Sequence, residues 1–503
     1  MQHPKEFDQL IGLWAEIDDL RNVAAILDWD EKTQMPASGA TARADQRSTI
    51  DRLAHERLAS PALGDLLQRL DSYEQSLERS SDEASIIRIA RREHEQATKL
   101  PLQLVTDFSR ARADAYVQWI KARQAQDFSL FVDSLERIYD LSRQSAEAIG
   151  YQSHPLNAML EQSEPGMCVD DFERLFDELR GTLVPLVQEI STAEQVDDRV
   201  LRQEFDPAKQ WEIGLAGVRS IQFKLDEGRA DFSVHPFSTT FTPRDTRITT
   251  RVMRDDFPPC FFGLLHEAGH GHYMQGIPER YRRTPLTNGA SAGMHESQSR
   301  MWENLVGRSH NFWQRFYPVA QAYFPAQTKD VSVDDWYRAI NRVKPSLIRV
   351  EADEVTYNLH IMIRWELEKA VFDGKLQIRD LAAAWNAKFE QYLGIVPPND
   401  LVGVLQDIHW TGGFGACFQG YTLGNVISVQ LYNACLQQQP ELLTQFAAGD
   451  FSGLLHWNRR QVHEHGSKFG PQELTEIATG KPLTAKPYLD YVVGKYREIY
   501  GLK

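Results

Sequence analysis

The chain has 503 residues with 55 basic and 70 acidic side chains, so its formal net charge at pH 7 is −15. This negative charge argues against nucleic acid or an anionic membrane surface as a general partner. The amino-terminal residues are polar, and no apolar run approaches the about 18 residues that a membrane span requires. We therefore expect a soluble, cytoplasmic protein that is not exported.

The chain is not divided by any Pro-, Gly- or Ser-rich linker. Its length would allow two or three domains, but the absence of a linker favours one. We predict a single, mainly helical domain over residues 1–503, with room for two lobes. Four cysteines are widely spaced without a C-x-x-C pair, which indicates reduced and mostly buried thiols with a structural role: Cys168, Cys260, Cys417 and Cys435.

The first third of the chain is predicted to be an array of helices. Apolar residues recur at helical spacing over residues 7–28, and the turn-forming residues of segment 27–36 predict that this helix ends there. Further amphipathic helices are predicted by the same spacing over residues 40–58, 61–77, 81–99, 101–125 and 127–149.

The remaining two thirds alternate in character. A loop is predicted between residues 151 and 168, and a helix over residues 170–195. Residues 230–253 are rich in Thr, Val, Ile and Phe and predict two or three short strands, either as one wall of a substrate cleft or as a purely structural sheet. Helices are predicted again over 290–305 and 331–393, a loop over 403–425, and helices from 423 to the end, closing with 488–500.

A five-residue motif lies inside the apolar run Phe261–Tyr273. His266 and His270 are four residues apart, so both imidazoles project from one face of a helix, as two zinc ligands require. Glu267 lies beside them, where it could accept a proton from the attacking water. The pattern H-E-x-x-H can also arise by chance. His272 points about 200° away from His270 on a helix, and a solvated or outer-shell role is expected for it.

A third ligand can be sought on the helix that follows. Glu296 comes 26 residues after His270 and has small and apolar neighbours, which favours it as a ligand over a surface position. His295 is the weaker ligand candidate because its direction differs by about 100°.

Two further polar groups leave alternatives open. The charges around Arg349 form either a polar network or a substrate clamp, and the segment with His409 and Tyr421 is either an active-site loop or an ordinary turn.

Six short motifs are spread along the chain: His235-Pro236-Phe237, Asp245-x-Arg247-x-Thr249, His266-Glu267-x-x-His270, His295-Glu296-Ser297-Gln298, Ile348-Arg349-x-x-Ala352-Asp353 and Gly403-x-x-Gln406-Asp407-x-His409-Trp410. Together with residues 27–36 and 421–425, they resemble the signature motifs of the thermostable carboxypeptidase Taq family. The likeness covers most of the chain, and six joint matches are far more specific than the metal motif alone.

The resemblance implies a zinc-dependent carboxypeptidase that removes single residues from peptide C-termini with broad preference and handles C-terminal proline poorly. It implies an M3-like helical body with a deep groove, similar to neurolysin and angiotensin-converting enzymes, and a homodimer. His266, His270 and Glu296 would be the metal ligands, Glu267 would be the general base, and Co²⁺ could substitute for zinc.

Other roles follow from what the reaction needs. A second donor to the oxyanion is expected from His409 or Tyr421, although a structural turn would also use them. Recognition of a free carboxylate is expected from Arg349, with Arg247 and His235 as further substrate-binding candidates. Each arginine could instead be a buried ion-pair partner, Arg349 with Asp353 on one helix face.

Two other functions fit the same residues. One is a metal-dependent oligopeptidase that cuts peptides internally. The other is a metal-free helical peptide-binding protein that retains a dead site.

Overall fold

The computed structural model describes residues 3–502 and is dominated by helices. In the first part of the chain these are α1 (Lys5–Thr33), α2 (Ala40–Leu58), α3 (Pro61–Arg69), α4 (Asp71–Gln75), α5 (Asp82–Lys99), α6 (Leu102–Ala125), α7 (Val132–Ile149), α8 (Leu156–Ser163), α9 (Val169–Thr192) and α10 (Pro207–Ser220). After the sheet follow α11 (Pro258–Gly276), α12 (Ala292–Arg300), α13 (His310–Tyr323), α14 (Val333–Ile340), α15 (Tyr357–Phe372), α16 (Leu381–Leu393), α17 (His409–Gly412), α18 (Gln419–Gln438), α19 (Leu442–Ala448), α20 (Ser452–Gln461), α21 (Pro471–Thr479) and α22 (Lys486–Tyr500). Within the described chain no helix is both long and apolar enough to cross a membrane.

A small sheet lies between α10 and α11 in the sequence. Its strands are β1 (Gly228–Phe232), β2 (Ser238–Thr242) and β3 (Asp245–Thr250), in the order β1-β3-β2. β1 runs parallel to β3 and β2 runs antiparallel to it. The prediction of two or three short strands is therefore confirmed, and the fold is mainly helical as expected.

The chain forms two compact units. Unit 1 comprises residues 1–98, 199–340 and 431–481, and unit 2 comprises residues 99–198, 341–430 and 482–503. Unit 1 contains the sheet, α11 and α12, whereas α15 and α17 belong to unit 2. The single-domain organisation, the groove and the likeness to neurolysin stay predictions.

The core of unit 1 surrounds α11. Phe261 is fully buried and contacts the rings of Phe257, Trp313 and Phe316 at centroid distances of 5.3 to 5.5 Å. α10 also packs closely on α11, since a Cβ on Gly214 would lie 2.5 Å from Leu264 Cδ1 and a Cβ on Gly217 would lie 2.9 Å from the Phe261 ring. Apolar packing on several sides thus fixes the orientation of α11, as a rigid metal site requires.

The core of unit 2 contains three buried tryptophans. Trp365 packs against the rings of Phe172 and Phe176 of α9, and Trp385 contacts Trp410 at 6.0 Å. The indole of Trp410 donates a hydrogen bond to Glu368 Oε1 (2.8 Å). The short helix α17 is therefore attached to α15 by one of its buried side chains.

α1 ends at Thr33, inside the predicted segment 27–36, and it extends beyond the apolar pattern of residues 7–28 because Asp28 and Lys32 form an i, i+4 ion pair and Trp29 is buried. Two other predictions were wrong. The predicted loop 151–168 contains α8. Segment 331–393 is not continuous helix, and Arg349 lies in a short 3₁₀ turn, Arg349–Glu351.

Candidate active site

The two histidines of the motif lie on α11 and face the third predicted ligand. One ligand atom from each of His266, His270 and Glu296 can be chosen so that all three lie within 4.8 Å of one another. Glu296 Oε2 is 3.6 Å from Nε2 of His266 and 3.4 Å from Nε2 of His270. The predicted residues are therefore brought together with their nitrogen and oxygen donors converging.

Glu296 reaches this position because α12 packs closely on α11. Ser291 caps the start of α12, accepting a hydrogen bond from Met294 N (3.0 Å). Gly269 lies where the two helices meet, and a Cβ there would be 2.6 Å from both Gln298 O and Ser299 Cα. A side chain at position 269 would push the helices apart, so glycine permits the approach that brings Glu296 to the histidines.

Each histidine is also held through its other nitrogen. His266 Nδ1 is 2.9 Å from Glu303 Oε2, and His270 Nδ1 is 3.1 Å from the carbonyl oxygen of His295 and 2.6 Å from its Nδ1. If Nδ1 of each ligand donates in these contacts, Nε2 keeps its lone pair for a metal. His295 is thus an outer partner of His270 and lies outside the ligand set.

The acidic side chains around the histidines are compensated by arginines. Arg300 Nε donates to Glu296 Oε1 (2.6 Å), and Arg300 NH1 donates to Glu303 Oε2 (3.3 Å). Burial raises the pKa of Glu303, but Arg300 and His266 outweigh it and the pKa falls to about 2. Burial also opposes the charge on His266, yet Glu296 and Glu303 raise its pKa to about 9. Glu303 therefore stays ionised, and the raised pKa of His266 shows that its surroundings favour a positive charge.

Glu267 is almost completely buried, with 6% of its surface exposed. Burial raises its pKa, and the neighbouring His266 and His270 act in the opposite direction. His272, two residues after His270, was expected to be solvated or to have an outer-shell role, and the structure excludes the solvated one. His272 is fully buried between the rings of Trp302 and Phe223, and burial together with Arg459 lowers its pKa to about 3.

The donor set fits a divalent metal ion. Two imidazoles and one carboxylate, converging within a few ångströms and oriented from behind, are the ligands that catalytic zinc uses while a coordination position stays open. This combination of nitrogen and oxygen donors is also compatible with Co²⁺.

Unit 2 contains a second buried polar cluster. Asp407 bridges two arginines: Oδ1 accepts from Arg349 Nε (2.9 Å), and Oδ2 accepts from Arg364 Nε (2.6 Å). Arg349 NH1 donates to Tyr357 Oη (3.1 Å). Asp353 instead accepts from the backbone of Val355 and the hydroxyl of Thr356. The buried ion pair of Arg349 is therefore made with Asp407 and not with Asp353.

His409 and Tyr421 lie next to each other in the same unit. His409 Nε2 is 3.2 Å from Tyr421 Oη, and the His409 ring stacks at 4.5 Å on Phe418. The guanidinium of Arg349 lies 5.0 Å from the centre of the Tyr421 ring. Tyr421 belongs to α18 and not to a loop.

The remaining predicted residues, Arg247 and His235, lie on the sheet of unit 1 and in one of its connections. Arg247 on β3 forms a two-point ion pair with Asp245 (2.9 Å each) and lies over the rings of Trp29 and Phe241. His235 is exposed between β1 and β2, and its carbonyl oxygen accepts from Ser233 Oγ (2.7 Å).

Sequence reasoning missed Glu303, Arg300 and Arg364. The signal for Glu303 was weak, because it lies beyond the end of α12 in a π-helical segment, Met301–Val306. Arg364 carried no signal, since its partner Asp407 is 43 residues away.

A buried helix with H-E-x-x-H, in which Glu267 is buried and a carboxylate of the next helix joins the two histidines as third donor, is typical of a metal-dependent hydrolase of the peptidase type. The comparison with protein families gives the finer class. The chain belongs to the family described as Carboxypeptidase Taq (M32) metallopeptidase, whose model matches residues 9–496. The protein is therefore a metallocarboxypeptidase that acts on peptides.

Relatives and solved structures agree with this assignment. The chain is 38% identical to thermostable carboxypeptidase 1 of Thermus thermophilus, covering 98% of this chain and 99% of the relative. It is 37% identical to carboxypeptidase 1 of Bacillus subtilis, covering 99% of each. The crystal structure of the M32 carboxypeptidase from Deinococcus radiodurans is similar, with a TM-score of 0.96 and 42% identity over 99% of this chain and 100% of that one.

Proposed function

We propose that this metallocarboxypeptidase uses zinc, with Co²⁺ as a working substitute, to remove single residues from peptide C-termini. The convergence of His266, His270 and Glu296 is the observation that carries the proposal. When bound, the metal ion supplies a Lewis acid that polarises the scissile carbonyl and activates water. We further propose broad preference for the terminal residue and poor cleavage of C-terminal proline, following the resemblance to the family.

Glu267 is proposed as the general base. Its place between the two histidine ligands in sequence and its burial support the role, because a water-excluded carboxylate accepts protons more readily than an exposed one. In this role Glu267 takes the proton of the attacking water and passes it to the leaving amine.

Arg349 is proposed to hold the carboxylate of the substrate. The cluster around Asp407 contains two guanidinium groups and one carboxylate, and the side chains of Arg349 and Asp407 are only 7% and 8% exposed. A buried group with more positive than negative charges favours an additional anion. Arg247 and His235 are kept as further substrate-binding candidates, although Arg247 already uses two of its donor groups on Asp245.

His409 and Tyr421 are proposed as donors to the oxyanion that forms in the transition state. His409 Nε2 and Tyr421 Oη are 3.2 Å apart, so one side chain can orient the other. Donors that are oriented before the reaction stabilise the oxyanion without a cost of reorganisation. Replacing Tyr421 by Phe should lower kcat more than it raises KM, because the donated bond exists mainly in the transition state.

One digest tests the proposed specificity. A peptide treated with the zinc-loaded enzyme should give a ladder in which successive products lose single C-terminal residues. Internal fragments would instead support the oligopeptidase. Absence of bound metal together with absence of cleavage after zinc or cobalt addition would support a metal-free binding protein.

A second experiment tests the carboxylate clamp. Arg349→Ala should lower kcat/KM for peptides with a free C-terminus by about 10- to 150-fold, the worth of a hydrogen bond to a charged group. Arg143→Ala, on the exposed face of α7 in the same unit, is the matched control. If the unmodified enzyme cleaves free and amidated peptides equally well, the clamp proposal fails.

Two further properties are proposed from the resemblance. A homodimer should sediment at twice the chain mass of 57.6 kDa. A cytoplasmic location is supported by the four cysteines, none of which forms a disulfide. A monomer in sedimentation, or signal in an exported fraction, would contradict them.

A further inference from the structure

The π-helical segment that follows α12 lies against the candidate metal ligands. π-Helical turns are rare and occur frequently at functional sites, because the wider turn changes the direction in which side chains leave a helix. Here the segment Met301–Val306 continues directly from α12, which supplies Glu296. Glu303 is the acidic residue of this segment, and its side chain is 13% exposed.

Glu303 contacts three charged or ionisable side chains at once. Oε2 is 2.9 Å from His266 Nδ1 and accepts from Arg300 NH1 at 3.3 Å, whereas Oε1 accepts from Arg308 NH2 at 3.3 Å. Arg308 is itself fixed, since NH1 donates to the carbonyl of Ile340 (2.7 Å) and its guanidinium lies 3.9 Å from the ring centre of Phe262. Glu303 therefore has little freedom to turn away from His266.

Arg300 connects Glu303 to the third ligand. It donates through Nε to Glu296 Oε1 at 2.6 Å, so that oxygen is occupied from outside. The other oxygen, Oε2, accepts from Ser299 Oγ at 3.1 Å and faces the Nε2 atoms of both histidines. A carboxylate held in this way offers one oxygen to the site.

We propose that Glu303 and Arg300 are positioning residues that set the metal affinity and the coordination of this site. Glu303 holds the His266 ring with Nδ1 as the donor and Nε2 free for a metal ion. Arg300 holds Oε1 of Glu296, so Oε2 is the oxygen that would face a bound metal ion. The inference rests on the proposed metal centre and adds the residues that orient it.

A role limited to the fold is the competing explanation. Arg300, Glu296 and Glu303 compensate one another's buried charges, so removing one would destabilise the protein even if no metal were bound. The two explanations differ in what happens to metal binding in molecules that remain folded. Metal affinity and the visible absorption of the Co²⁺-loaded protein report on the ligands, whereas the unfolding temperature of the metal-free protein reports on the fold.

The experiment compares Glu303→Gln, Glu303→Ala and Arg300→Met with the wild type. Zinc affinity is measured by competition with a chelator, the Co²⁺ absorption spectrum is recorded, and metal-free samples are melted. The exposed pair Arg52 and Glu56 on α2 gives matched controls, Arg52→Met and Glu56→Gln.

Glu303→Ala should weaken zinc binding by about 10- to 100-fold. Glu303→Gln should lose less, because its amide oxygen can still accept from His266 Nδ1. Arg300→Met should change the Co²⁺ spectrum, because both oxygens of Glu296 can then approach the ion. The controls should match the wild type in affinity and spectrum.

Unchanged zinc affinity and an unchanged Co²⁺ spectrum in all three variants would overturn the proposal. A lower unfolding temperature of their metal-free forms would then indicate a role in the fold alone. Glu303→Gln retains shape and an acceptor, so it provides a folded sample even if Glu303→Ala does not. If wild-type protein binds neither zinc nor cobalt, the metal centre itself is refuted. If the wild type binds metal and the three variants bind it with the same affinity and spectrum, only the positioning roles are refuted.

Discussion

Glu368 on α15 should make the stability of the protein fall as pH rises. Its side chain is fully buried and accepts from Trp410 Nε1 (2.8 Å) and Cys417 N (3.3 Å). Burial raises its pKa from 4.5 to about 7, although these hydrogen bonds act in the opposite direction. The folded chain therefore holds a proton that the unfolded chain releases, and the stability linked to it is complete below about pH 4.5 and lost as pH rises through about 7.

The size of the effect follows from the shift. The difference between the ordinary pKa of 4.5 and about 7 corresponds, at about 1.4 kcal/mol per pH unit, to about 3 kcal/mol of unfolding free energy. The Gln side chain of Glu368→Gln is uncharged at every pH, so the variant does not lose this stability as pH rises. Relative to wild type, the variant should therefore gain about 3 kcal/mol between pH 4.5 and pH 8.

Urea denaturation followed by tryptophan fluorescence at several pH values measures this difference. A pH-independent offset between the stabilities of Glu368→Gln and wild type is compatible with the account. The NH2 group of Gln cannot accept, so either Trp410 Nε1 or Cys417 N loses its acceptor. Glu390→Gln, an exposed change on α16, controls for the removal of a carboxylate. A difference between Glu368→Gln and wild type that stays flat from pH 4.5 to pH 8 would refute the reasoning.

Three substitutions test the packing around the metal centre. Gly269→Ala should lower the unfolding free energy by about 1 to 3 kcal/mol and weaken zinc binding, because its Cβ would meet α12 at 2.6 Å. Gly12→Ala is the control, since a Cβ there meets no atom within 4 Å, and equal unfolding midpoints of the two variants would contradict the prediction. Phe261→Ala should cost about 3 to 5 kcal/mol in urea denaturation by leaving a cavity behind α11, and a loss below about 1 kcal/mol would show that the core refills. Asp206→Ala should cost about 1 kcal/mol by removing the cap of α10, and an unchanged midpoint would contradict the cap.

The helical pattern predicted from the sequence holds where each element is stabilised locally. The bounds of α2 agree with the predicted 40–58, and the spacing of His266 and His270 predicts that both imidazoles lie on one face of α11, where Glu296 of α12 meets them. The continuation of α1 from residue 28 to Thr33 could not be predicted, because tertiary contacts override the first of its turn-forming residues. Asp28 and Asp30 pair with arginines of α2, and Trp29 lies beneath Arg247 of the sheet.

The polar surroundings of the site were less accessible to prediction. His266 needed only a local pattern, but its partner Glu303 depends on a π-helical segment that no periodicity in the sequence announces. The partner of Arg349 was sought four residues away and lies 58 residues away, at Asp407. Contacts between distant segments depend on how helices pack, and a single sequence contains no direct signal for them.

The rate of C-terminal hydrolysis by Glu267→Gln, determined together with its metal content, tests the central claim most directly. The substitution leaves His266, His270 and Glu296 in place, so the variant should still bind one zinc ion per chain. Its hydrolysis of a free-C-terminus peptide should fall by at least about 100-fold, since the proton acceptor is lost. A zinc-loaded Glu267→Gln that hydrolyses the peptide at the wild-type rate would contradict the account.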